Sequence, residues 1–200
     1  MLLAIDSATA ACSAALIGLD GALIDERYEN VGRGHAERLV PMIAELLDGR
    51  VPTAILVDCG PGSFTGVRVG LAAAHGLAIG WKIPLSGYSS MAAIAATCGE
   101  SEVGVALVGG HGELFVQSWR HDPLEPLDDL ASLAPQQAAE AIRAELVAGS
   151  GAQALIAARG YGRALDVLPR AANIRVLPQE LTRLPAKPIY GRAPDAKPMA

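Results

Sequence analysis

Three strand-like runs follow one another before any helix begins, and this order restricts the fold more than any other feature of the chain. "LLAIDSA", "CSAALIGLD" and "ALIDERYEN" have strand length and apolar content, and Asp20-Gly21 marks a hairpin between the second and third. A helix near 35–48, a strand at 54–59, a helix at about 65–79 and a strand at "IPLSG" follow, and Ser89-Ser90 caps a third helix through Cys98. A meander of three strands continued by alternating helix and strand predicts an α/β fold, with a mixed sheet and helices on its faces. The second half is a weaker version of the first. "VGVALV" and "ELFVQSW" form a hairpin across Gly109–Gly112, followed by a helix at about 135–148, a strand at "ALIAA" and a short helix near 161–168. The expectation is one complete lobe over residues 1–98 and a smaller, trimmed lobe over 99–200. The tail from Pro178, with further prolines at 185, 188, 194 and 198, is expected to lie extended over the surface.

Composition supports a packed interior and removes several function classes. Apolar residues make up 51% of the 200-residue chain and charged residues 18%, enough for a sizeable core; aromatics at 4% leave that core to Ala, Leu, Val and Ile. The net charge of −5 and the scatter of Lys and Arg argue against direct nucleic-acid binding, whose affinity rests on phosphate neutralisation. Cys12, Cys59 and Cys98 are odd in number and widely spaced, which predicts buried free thiols rather than a disulfide framework or a zinc ribbon. "MLLAID" lacks a basic start and Asp6 cuts its apolar run short, so neither a signal peptide nor a membrane span is expected and the chain reads as cytoplasmic.

The glycine-rich stretch after the strand at 54–59 invites a nucleotide-loop reading, and its spacing rejects it. Gly60, Gly62 and Gly66 stand one residue too far apart for G-x-G-x-x-G, no acid follows at the ribose distance, and Gly66 is followed by Val67-Arg68 instead of Lys-Ser/Thr. Gly66, Gly70 and Ala74 instead recur every four residues and lay a smooth stripe along one helix face, which lets another element approach closely. Pro61 and Gly62 set the turn, and Ser63 or Thr65 caps the helix. "DSAT" at 6–9 suits a capped turn between strands, and Asp6, Ser7 and Thr9 are at most the remnant of a phosphate loop, without the glycine step that close phosphate approach requires. "HAERLVPMIAELL" is apolar around most of its circumference, through Leu39, Val40, Met42, Ile43, Leu46 and Leu47, so something besides the sheet must cover it. A protein partner is set slightly ahead of ordinary core burial on two sides of one domain as that cover, with Pro41 kinking the helix or marking its first turn. His35 and Glu37 lack a ligand at position 39, and His75, His111 and His121 have no metal spacing; no catalytic or metal-binding residue is expected.

"LLAIDSATAACSAAL", "HAERLVPMIAELL" and above all Gly60-Pro61-Gly62-Ser63-Phe64-Thr65-Gly66-Val67-Arg68-Val69-Gly70, in this order and spacing, resemble the bacterial TsaB (YeaZ) family. The likeness is close over about 1–98 and loose beyond, through "GELFVQ" and "PIYGRAPDA". It implies an actin-like ATPase fold built from ribonuclease-H-like lobes, in a member without catalysis of its own. It also implies a dimerization subunit for the larger paralogue TsaD, with TsaE docking on the pair, in making N6-threonylcarbamoyladenosine in tRNA. ATP and metal would then sit on the partner subunits, with no cofactor on this chain, and tRNA would be met only through the complex. His35, Leu39, Met42, Ile43, Leu46, Gly66, Gly70 and Ala74 become the expected partner interface, with a homodimer when TsaD is absent. Val108-Gly109-Gly110 departs from the Asp-Ala-Arg step that relatives often carry. Two enzyme readings stand against this one: a small actin-like ATP-dependent kinase or acyl transferase using Asp6, Ser7 and Thr9, and a metal-dependent glycoprotease-type peptidase.

Overall fold

The computed structural model describes residues 1–191. Its first sheet is built from β1 (Leu2–Asp6), β2 (Ala11–Ile17) and β3 (Leu23–Asn30), then α1 (His35–Leu47), β4 (Ala54–Asp58), α2 (Phe64–Trp81), β5 (Leu85–Tyr88) and α3 (Ser90–Ala95). The strand order is β3-β2-β1-β4-β5. β1, β2 and β3 pair antiparallel, with Leu3 opposite Leu16, while β4 runs parallel to both β1 and β5. Every residue of β2 is buried, because α1 covers one face of the sheet and the short 3-10 helix Ala171–Val176 covers the other. That two-sided burial explains an unbroken apolar run where a half-exposed strand would alternate. β3, at the sheet edge, has no buried residue: Leu23, Ile24 and Tyr28 are exposed and Asp25, Glu26 and Arg27 half-buried.

The second sheet contains β6 (Glu102–Val108), β7 (Leu114–Arg120), β8 (Glu125–Pro126) and β9 (Ala131–Leu133), then α4 (Pro135–Ala141), β10 (Leu146–Ala148), α5 (Ala152–Arg159) and β11 (Arg163–Leu165). Its order is β11-β10-β6-β7-β8, with β9 also on β7. An antiparallel β6–β7 pair beside parallel β10 and β11 repeats the plan of the first sheet in shorter elements. Three sequence expectations fail here. α4 ends at Ala141, not near 148: Ile142 turns extended and its side chain lies against Gly104, and the Arg159 guanidinium donates to the Ile142 and Ala144 carbonyls. "ALIAA" is the middle of α5, which Gly160 ends in the left-handed conformation at φ 80°. Residues 163–165, expected in a helix, pair with β10 as β11.

Smaller departures follow local chemistry. α3 stops at Ala95, where Thr97 and Cys98 N–H groups bond three residues back. Pro41 stands in the body of α1 on its exposed side, well past the first turn. The segment 178–191 contains a 3-10 turn at Gln179–Thr182 and then runs over the first lobe, with Leu184 bridging Gly87 and the Ile189 N–H donating to the Cys59 carbonyl. Pro194 and Pro198 lie outside the described residues. One buried cluster runs from Ala4 and Leu56 of the first sheet through Met91 and Ile94 of α3 to Val103, Val105 and Leu107 of β6. Two versions of one strand-helix plan, facing across a cleft, make the actin-like arrangement.

Candidate functional site

The strands of both sheets deliver their turns to the cleft between them, a cavity of about 1000 Å³. Ala8-Thr9-Ala10 comes from the first lobe, Val108–His111 from the second, and the entries of α2 (Ser63) and α5 (Ser150) flank them. This is where an actin-like fold would hold a phosphate ligand. Several polar groups of the turn between β1 and β2 are turned to local use. Asp6 accepts from the Ala8 N–H at 3.3 Å, and Thr9 Oγ1 from the Ala11 N–H at 3.3 Å. The Ala8 carbonyl accepts from the Ser63 N–H at 2.6 Å, and the Thr9 carbonyl faces His35 Nε2 at 2.8 Å. Of the three candidate loop residues only Thr9 lines the cleft; Asp6 and Ser7 are 0% and 2% exposed and point into the interior.

The glycine motif closes on this same turn. A Cβ at Gly62 would overlap the Ala8 carbonyl, and one at Gly66 would overlap the Ser7 carbonyl. At Gly70 it would press on Ser7 Oγ, which itself donates to the Gly66 carbonyl at 2.9 Å. Ser63 caps α2 by accepting from the Gly66 N–H at 3.2 Å. Phe64 is exposed and carries the Arg68 guanidinium 3.4 Å above its ring, and Arg68 also donates to Tyr190 Oη.

The expected partner interface is corrected at each of its residues. His35, Leu39, Met42, Ile43, Leu46, Gly66, Gly70 and Ala74 are all buried within this chain. The broad apolar girth of α1 has a cover of its own: α1 lies in the angle between β2, β3 and α2, so its second neighbour is the next helix. The residues these helices do present outward are different. Val40 is 53% exposed and Ile79 76%, with Ala44, Ala72, Gly76 and Gly80 also open. Val40, Ala44, Val51, Leu77 and Trp81 line a shallow hollow of about 330 Å³ between the two helices.

A polar cluster that sequence reasoning missed lies beneath the cleft. β1 and β4 are parallel neighbours, and each ends in a buried aspartate, Asp6 and Asp58. Ser90 Oγ donates to the Asp58 carboxylate (2.8 and 2.6 Å), and the Gly60 N–H donates to Asp58 Oδ1 at 2.7 Å. Tyr88 Oη lies 3.4 Å from Asp6 and donates to the Ile5 carbonyl at 3.1 Å. Burial pushes the Asp6 carboxyl well above the usual carboxylate range, and the Asp58 charge adds to it. Burial also raises Asp58 to about 6, against the hydrogen bonds from Ser90, Asp6 and Gly60. The signal available in sequence was the repetition of an apolar run closed by Asp in "LLAID" and "AILVD". The cysteines are free and buried, with burial raising Cys12 and Cys98 to about 11 and Cys59 to about 12. Among the described residues no group of three or more His, Cys, Asp or Glu side chains could hold a metal ion, and no helix is long and apolar enough to cross a membrane.

The family model described as "TsaD: tRNA N6-adenosine threonylcarbamoyltransferase" matches residues 29–175. The tRNA threonylcarbamoyladenosine biosynthesis protein TsaB of Escherichia coli is 37% identical over 130 residues, 60% of this chain; the match spans about half of that relative's length, 55%. An uncharacterized protein of Mycobacterium bovis, Mb3455c, is 34% identical over 100% of this chain and 95% of its own. A solved structure described as YeaZ from Pseudomonas aeruginosa superimposes with a TM-score of 0.78 at 29% identity, covering 94% of this chain and 98% of that one. Matched by the TsaD model over well more than half of its length, and similar to TsaB of Escherichia coli in sequence and to YeaZ of Pseudomonas aeruginosa in its whole fold, the chain belongs to the family that the TsaD model describes.

Proposed function

We propose that this chain is a non-catalytic scaffold subunit in the threonylcarbamoylation of adenosine N6 in tRNA, and that it acts by binding a TsaD-type catalytic subunit. The observation that carries the reading is the apolar face shared by α1 and α2. Val40, Ala44, Val51, Leu77 and Trp81 line one open apolar hollow between the two helices, Ile79 is exposed elsewhere on α2, and such surfaces on soluble proteins mark contact sites. The reading gives the chemistry to the partner because Asp6 and Ser7 point into the interior and because the space that Gly62 and Gly66 leave is filled by the chain's own first turn. On this reading ATP and metal belong to TsaD and TsaE, and a homodimer through the same face forms when TsaD is absent.

The test is light scattering after size exclusion, with the chain alone and mixed with TsaD of the same organism. A one-to-one complex formed at the expense of the homodimer is the expected result. Val40→Asp with Ile79→Asp should abolish it while thermal unfolding stays unchanged. A wild-type mixture that elutes as two separate species overturns the scaffold reading.

A further inference from the structure

Asp6 and Asp58 present a chemical problem that their surroundings solve in one way. Both carboxyls are buried, at 0% and 2% exposure, on the residues that follow the paired Ile5 and Val57 of adjacent parallel strands, which sets the two side chains next to each other. Ionised carboxylates only accept hydrogen bonds, so contact between two of them requires a proton. None of the ion pairs among the described residues includes either aspartate. The groups that face them are acids or neutral donors: Tyr88 from β5, Ser90 from α3, Cys12 from β2, Cys59 just past β4 and, farther out, Tyr28 on β3. On the α1 side, His35 directs its ring to the Thr9 and Ala11 carbonyls and not to the carboxyls.

The two aspartates are not equivalent. Asp58 accepts short bonds from Ser90 Oγ and the Gly60 N–H, the environment of an ionised carboxylate. Asp6 has only the longer contacts from the Ala8 N–H and Tyr88 Oη, at 3.3 and 3.4 Å. We propose that Asp6 holds a proton at neutral pH and donates it to ionised Asp58, and that this shared proton latches the β1–β2 turn to the β4–α2 turn at the floor of the cleft. Through Ser90 the latch reaches α3, which packs against both sheets. Loss of the proton would set two negative charges side by side beneath the entry of α2, the helix that carries half of the exposed apolar face.

The direction of the pH effect follows from proton counting. The folded chain keeps a proton on Asp6 that the unfolded chain releases near its ordinary pKa of about 3.9. Stability contributed by the pair is therefore complete in acid and is lost as pH rises towards the raised folded value. Between those limits the folding constant falls by up to about tenfold per pH unit from this site alone.

The experiment compares wild type with Asp6→Asn and Asp58→Asn by urea unfolding from about pH 7 to pH 8, above the range in which Asp58 titrates and below that in which unfolding would release thiol protons, with infrared spectra of the wild type at neutral pH. The side-chain amide introduced by Asp6→Asn retains a donor for Asp58 without a titrating proton, so the fall with pH should be steeper in wild type than in that variant by up to about tenfold in the folding constant per pH unit. Asp58→Asn, which removes the charged acceptor of Ser90 and Gly60, should be the less stable variant at neutral pH. The wild-type spectrum should contain the carbonyl stretch of a protonated carboxylic acid, lost in Asp6→Asn. A neutral-pH spectrum without that band overturns the proposal even if neither variant folds. Equal pH slopes for wild type and Asp6→Asn overturn it as well.

Discussion

Gly66→Ala tests what the glycine motif is for. In the α-helical backbone an alanine at this position is conformationally favoured, by about 1 kcal/mol over glycine. Its Cβ would nevertheless overlap the Ser7 carbonyl oxygen and lie 3.3 Å from Ser63 Cβ. That carbonyl has little freedom to retreat: Ser7 Oγ is tied to the Gly66 carbonyl, and the next residue's carbonyl is tied to the Ser63 N–H. Overpacking of this kind costs about 3 kcal/mol, and one buried hydrogen bond lost in relief adds about 1 kcal/mol. Against the helix gain, the net loss is about 3 kcal/mol, a fall in Tm of roughly 6–12 °C for a chain of this length. Gly76, ten residues on in the same helix, is the internal control. It is exposed, and nothing lies within 4 Å of an added Cβ, so Gly76→Ala should raise stability by about 0.5–1 kcal/mol. Thermal and urea unfolding followed by circular dichroism would read both. Opposite signs support packing as the purpose of the motif. A Gly66→Ala protein as stable as wild type would refute the reasoning and return the motif to a ligand.

Leu39→Asp and Val40→Asp should separate core from surface on adjacent residues of α1. The first places a charge at a fully buried position and should cost about 4 kcal/mol or more, read as loss of the folded baseline; the second should leave Tm within about 2 °C and show its effect in association alone. Millimolar Mg-ATP should leave Tm unmoved, whereas binding at 100 times Kd would add about 2.7 kcal/mol of stability. A clear upward shift with nucleotide would favour the transferase reading.

How much of this was legible in sequence depended on whether the deciding contact was local. The hairpin at Asp20-Gly21, the caps at Ser63 and Ser89 and the turn at Pro61-Gly62 are decided within a few residues, and all were readable. α4, β10, α5 and β11 were not. Each is short, and a segment such as "ALIAA" fits the inside of either a helix or a buried strand; Gly160 and the pairing with β6 decide. The girth of α1 correctly implied a second cover, yet a sequence cannot say whether that cover is another protein or the next helix. Leu39, Met42 and Leu46 meet their own chain, which moves the candidate surface round to Val40, Ala44 and Ile79. The aspartate pair is a contact between positions 6 and 58, and only parallel pairing of β1 with β4 reveals it.

A cleft that clamps a ligand needs free donors in its turns and lobes able to close on one another. Here the packing round the first turn works against close approach of a ligand and against closure of the lobes. Gly62 and Gly66 bring the entry of α2 so near the first turn that its carbonyls meet helix backbone where a ligand would otherwise approach. α3 is meanwhile packed by both sheets in one continuous buried cluster, so relative motion of the lobes must open the core itself. Once those contacts are satisfied inside the chain, the apolar groups left to act are the ones no internal neighbour covers, and between α1 and α2 these include Val40 and Ala44 beside Leu77 and Trp81. On the proposed scaffold reading the fold turns a ligand-cradle geometry into a support for a helical face, and surface substitutions there should alter assembly without touching stability.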